Sequence, residues 1–359
     1  MKVLLALILF LAVLASLTLH RLRSVGTAFG VSTDTGIAAS GALMPETGFN
    51  FTLAPPASAD SSILLGEEDE PEAKGTESTR FWGVDALIRL AAKQDPDGSF
   101  GSGFEELGGH RLSRTGQTAL ATLAFMSLGY SHLSKDEYDG FDFGKAVKGG
   151  LKWLISTQSE DGVIPSVGDS QLNHILATLA LTEAYGMSAS QIFRDPAQRA
   201  YQAMTRMFSR QSGWGSATRE SWAGLAVAST RASELEIDET FTWLNQYFLG
   251  DAAISLSRPA ATAAWGALQG DGFVDLLWPE AERLLTRGPD LKNLETAYFE
   301  TLVIMKGRSR PASDGEERFS AWSLAVSQAG HDESLRGVSD SSLVRTSLLL
   351  MNKGAMWGR

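Results

Sequence analysis

The sequence predicts an all-α protein, and three observations lead to this fold class. Half-polar and all-apolar segments of helical period alternate about six times along the chain, with a repeat of roughly 35–60 residues. Three of the half-polar segments end in the same kind of turn. No long run of alternating apolar and polar residues bounded by hairpin turns, the signature of strands, is present.

The shared turn places a glutamine at the helix end and a glycine shortly after it. Glycine supplies the left-handed cap that ends a helix, and Asp-Gly or Pro-Asp-Gly closes a tight turn. The glutamine amide can bond to backbone groups that a helix end leaves open. The three copies are Gln94 with Gly98, Gln158 with Gly162, and Gln211 with Gly213.

The two kinds of helix predict two layers. A helix that is apolar on nearly every face lies between two other layers, whereas a half-polar helix lies outside. The half-polar segments are residues 84–92, 143–155, 197–209, 239–249, 273–285 and 317–328. The apolar segments are residues 115–130, 171–186, 221–232, 260–268, 294–306 and 342–352. We therefore expect an α/α toroid of about six inner and six outer helices over residues 81–359.

The first 80 residues are expected to lie outside this core. Residues 3–19 are free of charge and mostly apolar, with Lys2 before them and Arg21 and Arg23 after them. Their length and basic flanks favour a membrane anchor over a signal peptide cleaved after residues 13–15, so residues 1–23 are an anchor or a signal peptide. Residues 24–80 show no sustained period and carry an acidic run, which predicts a disordered linker.

Composition excludes several functions. The net charge is −11, and no basic stripe offers the footprint that a nucleic acid requires. Cysteine is absent, which excludes disulfides, thiol catalysis and every zinc site that uses cysteine. We expect no metal and no cofactor. The expected partners are a membrane, through residues 3–19, and a hydrophobic, glycan or protein ligand.

The segment around Gln158 resembles a known family. Lys148-Gly149, Trp153-Leu154-Ile155, Gln158 and Gly162 are similar to the QW repeat of the prenyltransferase and squalene-cyclase superfamily. From residue 81 to 352 the chain resembles the squalene-cyclase-like repeat proteins of planctomycete-like bacteria, on "LATLALTEAYGMS", "DPAQRA" and Tyr298-Phe299 with Trp322. The resemblance implies the terpenoid-cyclase-like α/α toroid, but a fold does not fix a function.

The catalytic motifs of that superfamily are missing. The chain contains no D-x-D-D, which supplies the acid of protonating squalene cyclases, and no D-D-x-x-D of metal-dependent terpene synthases. The zinc of protein prenyltransferases needs a cysteine that the chain lacks. The acids of "EIDET", residues 236–240, are typical of a helix N-terminus. No catalytic residue can be assigned from the sequence.

The candidate site is the end of the toroid where the inner helices begin. A ligand there would meet Arg114, Gln117, Gln171, His174, Arg219, Trp222, Glu295, Tyr298 and Arg345. His174 is polar among apolar neighbours, which fits either a buried histidine with a hydrogen bond or a catalytic base. Glu295 with a second acid would suit glycoside hydrolysis if the two carboxyl groups were about 6.5–9.5 Å apart.

Two classes of function remain. The first is a non-catalytic envelope module, anchored in a membrane and facing the periplasm or the cell exterior, that binds a lipid, glycan or protein. The anchor, the linker and the missing motifs favour it. The alternative is an enzyme, either terpenoid-cyclase-like or a lyase or hydrolase of polysaccharides, that uses the polar residues at the cavity mouth.

Overall fold

The computed structural model describes residues 76–209, 216–237, 274–307, 315–329 and 342–357. These residues form ten helices and two short hairpins. The helices are α1 Thr76–Ala91, α2 Arg114–Ser127, α3 Phe143–Thr157, α4 Ser170–Ser188, α5 Gln191–Ser209, α6 Ala217–Ala232, α7 Val274–Arg287, α8 Leu294–Gly307, α9 Gly315–Ala329 and α10 Leu343–Trp357. The strands are β1 Glu105–Leu107, β2 His110–Leu112, β3 Glu137–Tyr138 and β4 Phe141–Asp142.

The all-α prediction is confirmed, and each helix corresponds to a predicted segment. Helix α1 begins at Thr76, five residues before the predicted start of the folded region. The anchor at residues 3–19, most of the linker and the predicted helices at 239–249 and 260–268 lie outside the described residues. Within the described residues, no helix has the length and apolar character that crossing a bilayer requires.

Even-numbered helices form the inner layer. Helix α2 packs on α4, α4 on α6, α8 on α10, and α10 on α2. Helices α6 and α8 meet through Trp222 and Phe299, whose ring centroids are 5.2 Å apart. The inner helices are buried on nearly all faces, as the apolar pattern predicts; in α2 every residue from 115 to 126 is buried.

Odd-numbered helices lie outside this layer. Helix α1 packs on α10 and α3, α3 on α2 and α4, and α5 on α4 and α6. Helix α7 packs on α8 and α9, and α9 on α10. Among the described residues, one hydrophobic core runs through both layers.

The glutamine turns join neighbouring outer helices. The Gln94 amide donates to the carbonyl of Gly98 across its own turn and to the carbonyl of Ala146 in α3, both at 2.8 Å. The Gln158 amide repeats this with Gly162 at 3.1 Å and Pro196 in α5 at 3.0 Å. We call each of these a glutamine bridge. The third predicted copy, at Gln211, lies outside the described residues.

The two hairpins were not predicted. Strands β1 and β2 have three residues each and β3 and β4 two each, which is too short for an alternating pattern. Tight turns close both: Gly108 and Gly109 have φ of +55° and +79°, and Asp139 and Gly140 have +49° and +80°. Such angles suit the two-residue hairpin turn.

Candidate functional site

The β1–β2 hairpin lies across the first turns of the five inner helices. Strand β2 packs on α2 and α4. The Gln117 amide of α2 donates to the carbonyl of Leu112 at 3.1 Å, and the Asp169 N–H donates to the carbonyl of Arg111 at 3.0 Å. Leu107 and Leu112 are buried in the main core. Apolar burial and polar contacts therefore both hold the hairpin in place.

Glu105 joins the same hairpin to α10. Its carboxylate accepts hydrogen bonds from the Ser342 hydroxyl at 2.7 Å and from the N–H groups of Leu343 and Val344 at 2.9 Å. The first turn of a helix leaves such N–H groups without an intrahelical partner, and its partial positive charge favours an anion. Glu105 therefore caps α10 from a position 237 residues earlier in the chain.

The tip of the hairpin reaches α6 and α8. A Cβ atom on Gly108 would lie 2.3 Å from Thr218 Oγ1 and 2.6 Å from Glu295 Oε2. No side chain fits in that space, so the glycine allows the backbone to approach both groups. The open mouth expected from the sequence is thus covered by the chain's own hairpin.

Asp169 organises one cluster under the hairpin. Its Oδ2 atom lies 2.5 Å from His110 Nδ1, 3.0 Å from Arg219 Nε and 2.7 Å from Arg219 Nη2. Its other oxygen accepts from the Leu172 N–H at 2.9 Å and caps α4. Burial opposes ionisation, but hydrogen bonds from Arg219, Leu172 and His110 hold the pKa of Asp169 below its ordinary value. The Arg219 cation is therefore paired with an internal carboxylate.

Glu295 organises a second cluster. Trp222 Nε1 donates to Glu295 Oε1 at 2.9 Å, and the Trp222 ring stacks on Tyr298 with centroids 5.6 Å apart. Burial raises the pKa of Glu295, and hydrogen bonds from Trp222 and Thr218 act in the opposite direction. The cluster is largely closed, because Glu295 is 8% exposed and Trp222 is fully buried.

A second buried acid, Glu183 of α4, lies deeper than the helix starts. Burial raises its pKa to about 7, against a hydrogen bond from the Ser229 hydroxyl of α6. Burial also raises the pKa of Tyr298, and the charge of Glu183 adds to that shift. Glu183 and Tyr298 therefore interact inside the helical layer. Glu183 is not among the residues predicted from the sequence.

His174 bridges the inner and outer layers. The Ile164 N–H donates to its Nδ1 at 3.2 Å, and its Nε2 lies 3.0 Å from the carbonyl of Ala200 in α5. Burial lowers its pKa to about 4, so the ring is neutral at pH 7. Both ring nitrogens are thus engaged by the backbone, as in a buried structural histidine.

The remaining predicted residues divide between the two layers. Arg114 pairs with Asp95 and Asp97 in the turn after α1, and its guanidinium lies 5.8 Å from the ring centroid of Trp153. It therefore points to the outer layer. Gln171 and Arg345 are half-buried in the first turns of α4 and α10. The structure gathers Gln117, Arg219, Trp222 and Glu295 around the hairpin, and Tyr298 stacks on Trp222 behind them.

Two members of this site, His110 and Asp169, are not among the residues predicted from the sequence. Asp169 stands directly before an apolar helical run, which is the usual position of an N-cap, so it could have been found. His110 lies in a three-residue strand and carries no comparable signal. Among the described residues, no three His, Asp or Glu side chains converge as a metal site would require.

Comparison of the chain with protein-family models, with curated proteins and with solved structures finds no match. Any assignment of function therefore rests on the residues and their geometry.

Proposed function

We propose that the protein is a membrane-tethered, squalene-cyclase-like repeat protein that acts as a non-catalytic binding module of the cell envelope. In this proposal residues 3–19 anchor the chain, and the helical region is an α/α toroid that holds a lipid, glycan or protein ligand without converting it.

The cyclic order of contacts among the inner helices supports the toroid. Going around, α2 meets α4, α4 meets α6, α6 meets α8 through Trp222 and Phe299, α8 meets α10, and α10 meets α2. The repeated glutamine bridges at Gln94 and Gln158 support a family resemblance, because the same turn makes the same two bonds in successive repeats.

One observation carries the non-catalytic assignment: the polar groups at the helix starts bind one another. Arg219 is paired with Asp169, Glu105 caps α10, and Glu295 accepts from Trp222. A catalytic group needs a free atom aimed at a substrate. We therefore place the ligand on the helical walls or at the end opposite the hairpin.

The test is to look for turnover and for retained ligand in the same sample. Full-length protein purified from membranes would be incubated with squalene and with a panel of envelope polysaccharides, and products would be measured by mass spectrometry. We expect no product, and native mass spectrometry should show a retained lipid or glycan. Steady formation of any product would refute the proposal.

A second candidate function is an enzyme, and the two buried acids favour it. Glu183 and Glu295 both have raised pKa values, and a carboxyl group protonated near pH 7 can act as a general acid. If turnover is found, Glu183→Gln and Glu295→Gln should each reduce kcat by at least about 100-fold. Unchanged turnover in both variants would exclude these acids from catalysis.

A further inference from the structure

The outer helices differ sharply in charge around the molecule. Helix α3 contains three lysines and no acid, and α5 contains three arginines and one acid. Helices α7 and α9 together contain three arginines and five acids. The whole chain has a net charge of −11. The cations of α3 and α5 are therefore concentrated on one side of an acidic protein.

The lysines of α3 project into solvent. Lys145, Lys148 and Lys152 follow one another at three- and four-residue spacing and are all exposed, so they share one face of α3. Lys145 pairs with Asp142 at 3.1 Å. Within the part of the chain that the structure describes, the side chains of Lys148 and Lys152 form no ion pair.

Two large aliphatic side chains protrude beside these cations. Leu133 is 65% exposed and Ile192 is 62% exposed. Their neighbours His132 and Phe193 pack edge to face with ring centroids 4.7 Å apart, which places the two aliphatic residues at the same junction. The charge of Lys148 acts on His132, so this lysine lies at the junction too. We call Leu133, Lys148, Lys152 and Ile192 the basic face.

We propose that the basic face binds a membrane surface rich in anionic lipids. Lysine and arginine side chains are attracted to anionic headgroups, and protruding aliphatic residues enter the boundary between headgroups and acyl chains. An acidic peptide would satisfy the cations but would leave Leu133 and Ile192 in water. The proposal rests on the membrane tether of the proposed function.

The position of the tether favours the same partner. The chain that follows the predicted anchor enters the described fold at Thr76, the start of α1. Helix α1 packs on α3, which carries the lysines, and the Gln94 bridge fixes the two helices together. The tether therefore joins the fold at the helix next to the basic face. Acids border the face on the β3–β4 hairpin, at residues 160–161 and at Asp195, which is exposed three residues after Ile192.

The absence of cysteine allows a direct test. Full-length protein carrying Ile192→Cys, or Leu324→Cys on α9 as a control of similar exposure, would be labelled with an environment-sensitive fluorophore and placed in nanodiscs. The lipids would be phosphatidylcholine with or without phosphatidylserine, with brominated acyl chains as quenchers. We expect quenching at residue 192 only when phosphatidylserine is present, and none at residue 324.

Charge reversal should abolish that signal. Lys148→Glu with Lys152→Glu should weaken the lipid-dependent contact by about 25-fold or more, at roughly fivefold for each basic residue lost. Arg283→Glu with Lys292→Glu changes the net charge equally on another side and should have no effect. High salt should act like the first pair of substitutions, because screening weakens exposed charges.

Several results would overturn the proposal. Equal quenching in phosphatidylcholine alone, or equal quenching at residues 192 and 324, would mean that the tether brings the whole domain near lipid without a preferred face. A third result is that iodide fails to quench the label at residue 192 in the absence of lipid. If neutralising the acids at residues 67–70 then restores quenching by iodide, the chain's own acidic segment covers the basic face and the proposal is wrong. Failure to enter nanodiscs would refute the anchor alone; flotation of the protein with phosphatidylserine vesicles would then test the basic face separately.

Discussion

At the scale of single residues, Arg219 in the first turn of α6 pairs with Asp169, the N-cap of α4, and so links the starts of these two helices. Asp169 is nearly buried and holds both Arg219 and His110 on the same oxygen. Arg219→Ala should lower the free energy of unfolding by about 1–3 kcal/mol, because a buried carboxylate loses its cationic partner. Urea denaturation measures this, with Arg194→Ala as an exposed control. An unchanged midpoint would favour a ligand-binding role for Arg219 instead.

Two buried groups should give the stability opposite dependences on pH. The pKa of His174 falls to about 4 in the fold, so between pH 4 and 6.5 the unfolded chain binds more protons and stability rises with pH. The pKa of Glu183 rises to about 7, so between pH 4.5 and 7 the folded chain binds more protons and stability falls with pH. Over the shared range the two contributions nearly cancel.

Replacing either group should reveal the pH dependence of stability that the other group contributes. Between pH 4.5 and 7 the free energy of unfolding of His174→Gln should fall by about 3 kcal/mol, because only the Glu183 contribution remains. That of the wild type should change little over the same range. The free energy of unfolding of Glu183→Gln should rise by about the same amount between pH 4 and 6.5. Denaturant midpoints measured at half-unit pH steps check both slopes. Parallel curves for all three proteins would contradict these pKa shifts.

The sequence predicted some of these residues better than others. His174 was recognisable as a polar residue on an apolar helix, and its burial follows from that pattern. The role of Arg219 was not recognisable, because its partner Asp169 is 50 residues away and belongs to a different helix start. A cation in a first turn looks the same in sequence whether it faces a ligand or an internal acid.

At the scale of elements, the glutamine bridges hold the outer layer together. Each amide donates to two carbonyl groups, one of them in the next outer helix. Gln94→Ala and Gln158→Ala should each lower the free energy of unfolding by about 2 kcal/mol, since two part-buried carbonyl groups lose a partner. Gln202→Ala, on α5, should change it by less than about 0.5 kcal/mol. Thermal or urea unfolding measures the three variants, and equal effects would contradict the bridge.

Helices were predictable from sequence because their period is long and repeated. An apolar stripe over twelve or more residues outweighs local exceptions such as Pro279 inside α7. The hairpins depend instead on two glycines or on an Asp-Gly pair, and their strands are held by what they pack against. Tertiary contacts, which no local window contains, decide such short strands.

At the scale of the whole molecule, contacts near the hairpin join residues 76–237 to residues 274–357. Glu105 caps α10, and Trp222 bonds to Glu295. Glu105→Gln should destabilise the protein by about 2 kcal/mol, because charge-assisted bonds to a helix N-terminus are lost. Glu106→Gln, next in the strand and exposed, is the matched control.

Hydrogen exchange locates the effect of Glu105→Gln. Faster exchange should appear in the first turn of α10 and in the β1–β2 hairpin, while α4 and α5 stay as in wild type. Uniformly faster exchange would show a global loss instead of an opened junction. The alternation of helices predicted the two layers, but the capping of α10 by Glu105 has no trace in either local sequence.

The cap on α10 also sets an order on biosynthesis. Glu105 leaves the ribosome 237 residues before Ser342, which is on the order of 12–50 s at common translation rates. Until then the hairpin lacks the start of α10 to rest on, and for most of that time it also lacks Glu295, the acid of α8. During this interval the hairpin around Leu107 therefore lacks part of its packing partners. A chaperone or a translocation channel that acts then would contact a surface that is buried in the mature protein.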